Sequence, residues 1–529
     1  MLALFQLKLV VPGLLATIGL VAMGVGCAPS TGDSESPSLA PAILESQASL
    51  PAPVVTTVDI DDAETWDLIR ISGQPIGYQV TRWKRTVVQG VEVRQISAES
   101  RLKLQRFGQV TEETMSIVSR DSLSGQLQSF ATRIASGNNP IVTTGLLLEG
   151  QLNLETVGGS QAQTWILPVP NGCGGLFAVE SNLLCRPMLP RESRSLTAFV
   201  PVVNVVSTVE LTALEMEHVQ LLGQTEQLLH IVSQTSLASG QSLRADLWCD
   251  RAGQILKSEM GALQQETIRV QKQIALSEIK GEFDLGNASI VKIDPPLPSP
   301  RKTGQVRYLA KLENENPAAI FAERPYQRIF PIDERRAAIQ VTAVRPSTMD
   351  SPVEDTRPQD SDRQPSAAIQ SRDPLIQKLA NQVVPVDDDP WTVSVAIEKF
   401  VYDYVTEKNF STAFATAAEV AKNRSGDCTE HAVLTAAICR ARGISARIAI
   451  GLVYVPAQSG FAFHMWNEVW VQDRWLPIDA TLGRGGIAAD HLVLTTSSFD
   501  AQQSFASFLP VIQTIGQLTL VVEEVESSP

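Results

Sequence analysis

The feature that most constrains this chain is a change of period partway along it. From about Trp66 to Ile279 the apolar residues recur every second position. The segment Arg101–Phe107, RLKLQRF, alternates as a half-buried strand does. TMSIVS, PIVTTGLLL, VELTALEM and LLHIVSQT read the same way. Turn-forming pairs such as Ser124-Gly125, Asn139-Pro140 and Gly158-Gly159 separate them. Ten or so short strands predict an antiparallel sheet curled into a barrel or half-barrel, a binding or positioning module over residues 61–290.

After Leu375 the period becomes helical. Asp387-Asp388-Asp389-Pro390 ahead of Trp391 is a helix start. Val395, Phe400, Val401 and Tyr404 then fall at helical spacing. TAFATAAEVAKN predicts a second helix, and TEHAVLTAAICRARG a third, closed by Gly443. The runs ARIAIGLVYV, HMWNEVWVQ and RWLPIDA predict strands, and the tail LPVIQTIGQLTLVVEEV one more. Helices first and antiparallel strands after make residues 375–529 an α+β domain. With 529 residues, a multidomain chain is expected.

Between the two lie weaker signals. PPLPSP at Pro295–Pro300 breaks the chain, and a short β-containing connector is expected over 291–344. Arg345–Pro374 is rich in Pro, Ser and Asp with few large apolar residues. It reads as a disordered linker, because it cannot bury enough of itself to order.

The N-terminus carries a targeting signal. Lys8 precedes an apolar run, Leu9–Gly26, ending in Gly26-Cys27. A small residue before a cysteine at this place is similar to a bacterial lipoprotein cleavage site, although Gly24 departs from that pattern. The resemblance implies lipid attachment at Cys27 and a membrane anchor. Plain secretion and an uncleaved helix are the alternatives. Residues 28–60 then serve as a flexible tether. The net charge of −14 and the lack of a basic stripe argue against a nucleic-acid partner.

Cys173 and Cys185 lie in NGCGGLFAVESNLLC, a Gly-rich loop, and either pair in an oxidising compartment or remain thiols. Cys249 and Cys439 sit in apolar runs and read as core. With no CxxC pair and no His/Cys cluster at zinc spacing, neither a metal site nor a cofactor is expected.

The residues that carry chemistry are GDCTEHA, HMWNEV and WLPIDAT. His464 follows Cys428 by 36 residues (464 − 428), and Asp479 follows His464 by 15 (479 − 464). A thiol at a helix start feels the positive end of the peptide dipoles, which favours thiolate. A histidine on one strand and an aspartate ending the next meet across a hairpin, and the carboxylate then fixes the imidazole tautomer. His431 is a rival to His464, but it shares a helix with the thiol. Glu430 and Glu468 read as packed or paired, Trp466 as cleft wall or core, and the stretch Pro456–Phe463 as a substrate entrance.

Together, over about Trp391–Leu494, these motifs closely resemble the core of the transglutaminase-like superfamily. That resemblance implies Cys428 as nucleophile, His464 as base and acid, Asp479 as its orienter, and a structural role for His491. It implies amide or peptide acyl transfer through a thioester, with a protein or peptide as partner. Hydrolysis and cross-linking share the chemistry up to the thioester, so the triad does not choose between them. A degenerate binding module and a ligand-carrying β-domain remain the other classes. No calcium-ligand cluster is evident.

Overall fold

The computed structural model describes residues 62–527, apart from 136–139, 159–160, 201–203, 237–241, 261–264, 278, 280–282, 314, 346–354, 409–414 and 501–505. Cys27, the export segment and the tether lie outside the described residues.

Among the described residues the N-terminal unit builds one antiparallel sheet of fourteen strands, β1 (Asp62–Ile71) to β14 (Gln265–Val270). Its spatial order runs from β8 (Gln161–Pro168) back to β1, across to β14, and back to β9 (Ser193–Val200). Two meanders are thus joined by one pairing, with Trp66 opposite Val270 and Ile71 opposite Gln265. The alternation does its expected work. In β4 (Gln109–Ser122), Met115 and Ile117 are buried and their immediate neighbours are not. Phe107-Gly108 and Leu222-Gly223 have positive φ at both residues, the turn geometry whose twist suits two-residue hairpins.

The sheet is curled. Gly174 bridges both Gln126, which follows β4, and Ala198 on β9, the terminal strand of the order, although many strands of the sheet separate the two. The segment expected to be a loop becomes a helix, α1 (Ala178–Cys185), because Val179 and Leu183 bury in the same core as Phe130 and Phe199. Phe130 and Phe199 pack there at 4.9 Å. Cys173 is buried and Cys185 exposed, and both are free thiols. Cys249 and Cys439 are buried.

In the C-terminal unit, β15 (Val291–Lys292), β19 (Ala446–Val455), β20 (Gly460–Val471), β21 (Arg474–Ile478) and β22 (His491–Ser497) form one sheet. Its order is β15-β20-β19-β22, with β21 on β20. Helices α2 (Pro374–Gln382), α3 (Pro390–Tyr404) and α4 (Ala417–Asn423) pack around α5 (Cys428–Ala441). From Cys428 to Arg440 every residue of α5 is buried, so it is a central helix rather than an amphipathic surface one.

Three expectations are corrected here. The connector is not separate from the last domain. β16 (Thr303–Lys311), β17 (Gln327–Asp333) and β18 (Arg336–Thr342) form a sheet whose fourth member is the C-terminal strand β23 (Thr519–Ser527), in the order β17-β18-β16-β23. The tail therefore adds its strand to the connector, and Leu509–Thr514 is a helix, α6. Gln327 Nε2 donates to Val493 O at 2.7 Å while its Oε1 accepts from Val493 N at 2.8 Å, which fixes β22 to the connector.

The linker is ordered from residue 355 on. Ala368 and Ile369 bury in a core that the domain already supplies, so the segment need not bury itself. Its polar groups meet buried partners: Arg440 Nη1 donates to Gln364 O at 2.7 Å, and Trp475 Nε1 to Thr356 O at 2.8 Å. Residues 346–354 lie outside the described set. A boundary at residue 375 thus cuts through a packed unit that already includes β15, which pairs with β20.

Candidate active site

The first turn of α5 is fixed before any function is considered. Asp427 caps it, accepting from Thr429 N at 2.9 Å. Glu430 reaches back to accept from Asp427 N at 2.9 Å, completing a capping box. Its other oxygen accepts from Ala415 N at 2.9 Å. Burial, then the charge of Asp427, push Glu430 up to about 8. A Cβ at Gly426 would lie 2.3 Å from Glu430 Cβ, so this approach requires glycine. Cys428 is the first residue of the helix and is 1% exposed.

α5 rests on β20. Thr429 Oγ1 donates to Met465 Sδ at 3.3 Å, and Asn467 Nδ2 to Ala432 O at 2.9 Å. Cys428 and His464 are thus each one residue from a direct contact between their elements. His464 is the fifth residue of β20, opposite Gly451 of β19, rather than the first of a strand. Phe461 and Phe463, expected to shape an entrance, are fully buried instead. The hairpin closes tightly, Val455 opposite Gly460, and carries both rings into the core, where Phe461 packs on Tyr308 and Tyr454.

Asp479 follows β21 directly. Its Oδ1 accepts from Thr481 N at 2.9 Å, and its Oδ2 faces His464 Nε2 at 2.9 Å. The same Oδ2 faces His491 Nε2 at 3.2 Å. Burial acts to raise the Asp479 pKa, but the two histidines outweigh it and hold the carboxyl well below the usual range. With Nε2 committed to the carboxylate, His464 keeps Nδ1, which is buried and has no hydrogen-bond partner among the described residues. Trp466 lies under the ring, with centroids 5.9 Å apart at 21°.

The rival imidazole behaves differently. His431 Nδ1 faces Asp427 O of its own helix at 2.6 Å, and burial drives its pKa down to about 4. It is therefore neutral at physiological pH and a poor proton donor. Glu468 is fully buried between Arg447, at 2.6 Å, and Arg324, at 3.2 Å, with Tyr326 Oη donating to it.

Four contributors escaped the sequence reading. His491 was expected to be structural only, and Asp490, Arg484 and Glu398 carried no signal beyond an acid next to a histidine. Asp490 Oδ1 faces His491 Nδ1 at 2.7 Å, and Arg484 pairs with Asp490 Oδ2 at 3.0 Å. Glu398 of α3 accepts from the backbone N–H groups of Arg484, Gly485 and Gly486. Burial and the Asp479 charge push Glu398 up to about 8, although those three donors favour its charged form.

His464, Asp479 and His491 are close enough to hold a cation. The donor set instead reads as a hydrogen-bond chain, since both nitrogens of His491 already face carboxylate oxygens that only accept.

The sequence profile of the Transglutaminase-like superfamily matches residues 377–480. A candidate cysteine protease from Cytophaga hutchinsonii is similar in structure at 18% identity. That match covers 43% of this chain and 88% of that one, with a TM-score of 0.27. A β-barrel-like protein of unknown function from Brucella abortus is similar at 12% identity, covering 39% of this chain and 95% of that one, with a TM-score of 0.30. A candidate protease from Parabacteroides distasonis shows 8% identity over 67% of this chain and 68% of its own, with a TM-score of 0.17. No curated protein sequence matches the chain.

Proposed function

With residues 377–480 as a transglutaminase-like domain, we propose that this chain is a cysteine-nucleophile acyl-transfer enzyme acting on amides or peptides. The observation that carries the reading is the division of labour on His464. Nε2 faces Asp479, and Nδ1 is buried with no hydrogen-bond partner among the described residues, on a strand whose next residue, Met465, contacts Thr429, the residue after Cys428. A base for a thiol needs this division, one ring nitrogen held by a carboxylate and the other free to take a proton.

In this mechanism the Cys428 thiol gives its proton to His464 Nδ1. The helix N-terminus favours the resulting thiolate. The sulfur attacks the carbonyl carbon, and the oxyanion is stabilised by backbone N–H groups including that of Cys428. The C–N bond breaks as His464 returns the proton to the leaving amine, and a thioester remains. Water releases an acid; a second amine gives a new amide. Incubating the purified protein with a peptide library and an amine tag separates the two. Mass loss through cleavage, or carboxamide turned to acid, reports hydrolysis, and a tag-sized gain reports transfer. No change with any peptide contradicts the proposal.

One observation favours a second reading, a non-catalytic binding module. Cys428 is 1% exposed and His464 fully buried, so a substrate reaches them only if the covering atoms move. The same library incubation decides between the readings. For the N-terminus, we propose export and lipid anchoring at Cys27, with envelope proteins or peptides as the substrate class. Mass spectrometry of the native N-terminus tests this, and a mature chain beginning elsewhere without acyl groups contradicts it.

A further inference from the structure

We infer that His491 is a positioning residue: a permanently charged imidazolium that clamps Asp479 and offsets its negative charge, so that His464 can give its proton up. The inference rests on the reading of Cys428 and His464 given above, and extends it to a residue that touches neither substrate nor thiol.

The geometry alone argues for the charge. Nε2 of His491 faces Asp479 Oδ2 at 3.2 Å, and Nδ1 faces Asp490 Oδ1 at 2.7 Å. Ionised carboxylates only accept, so each ring nitrogen must carry a proton. The ring is fully buried, which disfavours a cation, yet Asp490 and Asp479 outweigh burial and push its pKa up to about 9. Asp490 is held in turn by Arg484, the only member of the chain that reaches solvent, its side chain 26% exposed.

The other groups facing this ring do not supply the charge balance. Trp466 presents an edge at 5.1 Å, Tyr308 Oη donates to Ala489 O, and the backbone N–H of Tyr454 donates to Asp490 O. Glu398 and His431 lie beyond Asp479, and burial favours the neutral form of each. Arg484 and His491 therefore balance Asp490 and Asp479 within this hydrogen-bonded chain, and the Asp479 carboxylate reaches His464 with its charge offset.

The functional consequence follows from distance. The rings of His464 and His491 are 6.0 Å apart between centroids. Without the cation, Asp479 acts on His464 uncompensated and traps a proton there. The imidazolium then fails as a general acid toward the leaving amine. At an effective dielectric of about 20, one charge at that separation moves a titration by roughly one to two pH units.

The test needs no substrate. The alkylation rate of Cys428 by iodoacetamide is followed against pH, and the ring protons of the protein's five histidines by nitrogen-resolved NMR. In the wild type, His491 should keep both ring protons from pH 6 to 8; loss of either overturns the inference. In His491→Gln, the upper inflection of the alkylation profile should rise by about one to two units. Asp490→Asn leaves the bond to Asp479 but lets His491 become neutral, so it should shift the profile the same way and less. A folded variant of either kind with the wild-type profile overturns the inference, whereas a purely structural role would lower only the unfolding temperature. If Cys428 of the wild type fails to alkylate ahead of the other thiols, the enzyme reading fails; the NMR result still decides the state of His491.

Discussion

Replacing Glu468 by Gln should destabilise the C-terminal unit by about 3–5 kcal/mol, the usual cost of removing one member of a buried ion pair. Glu468 is fully buried, and Arg447 and Arg324 are 13% and 17% exposed. Arg447 contacts it at 2.6 Å through Nη2 and 2.7 Å through Nε, and Arg324 at 3.2 Å. In the variant two guanidinium groups face a neutral amide, and the Gln NH₂ opposes the donors of one of them. Tyr326→Phe should cost less, about 1.5–3 kcal/mol, because it removes one hydrogen bond to a charged acceptor. Urea unfolding followed by tryptophan fluorescence is the assay, since Arg447 lies 4.0 Å from the Trp475 ring. A double-mutant cycle with Arg447→Met isolates the pair. A Glu468→Gln loss below about 1 kcal/mol would refute the view that this triad ties the connector to the strand carrying His464.

Acid should act through the same group. Burial alone would raise the Glu468 pKa, but Arg447 and Arg324 outweigh it and lower it. Its stabilisation is therefore complete above the unfolded carboxylate pKa and fades as pH falls through the lowered folded value. Glu468→Gln should accordingly flatten the acid limb of a stability–pH curve; an unchanged limb contradicts the assignment. A fragment of residues 375–529 should not fold, because β23 loses β16 and β22 loses Gln327, whereas residues 283–529 should give a cooperative transition by calorimetry. Cooperative unfolding of the shorter piece would restore the boundary at 375. Gly426→Ala should disturb the capping box at Glu430 and cost about 1–3 kcal/mol together with Cys428 reactivity. A variant matching the wild type in both would mean that the turn yields.

What the sequence disclosed was local. Helix α5 was readable because its cap, its apolar run and Gly443 are contiguous, and β20 and β21 because they form one hairpin that brings His464 to Asp479. The strand-rich N-terminal unit followed from alternation within each strand. What was hidden depends on distant partners. His491 meets Asp479 through the pairing of β22 with β19, which no spacing encodes. Residues 355–374 looked disordered because their composition cannot build a core, yet Ile369 borrows one and Arg440 binds the Gln364 carbonyl. Phe461 and Phe463 looked like an entrance because they lie beside a turn, and the register of β19 with β20 buries them. The tail strand was visible, but its partner β16 lies more than 200 residues earlier in the chain.

The central claim is that Cys428 is a nucleophile activated by His464. Its most direct test is iodoacetamide labelling at mildly acidic pH, read by peptide mass spectrometry in the wild type, Cys428→Ala and His464→Ala. The account predicts that Cys428 labels first. Cys439, Cys249 and Cys173 should stay unlabelled, because burial pushes the Cys439 thiol up to about 12, Cys249 higher still, and Cys173 up to about 11. His464→Ala should move Cys428 labelling to higher pH, because the thiolate loses its cationic partner. On any peptide found to turn over, either single substitution should lower the rate by roughly 10⁴–10⁶, and the double substitution scarcely further. Cys428 labelling no sooner than the buried thiols, or with a pH dependence untouched by His464→Ala, would contradict the account and leave the binding module as the better description.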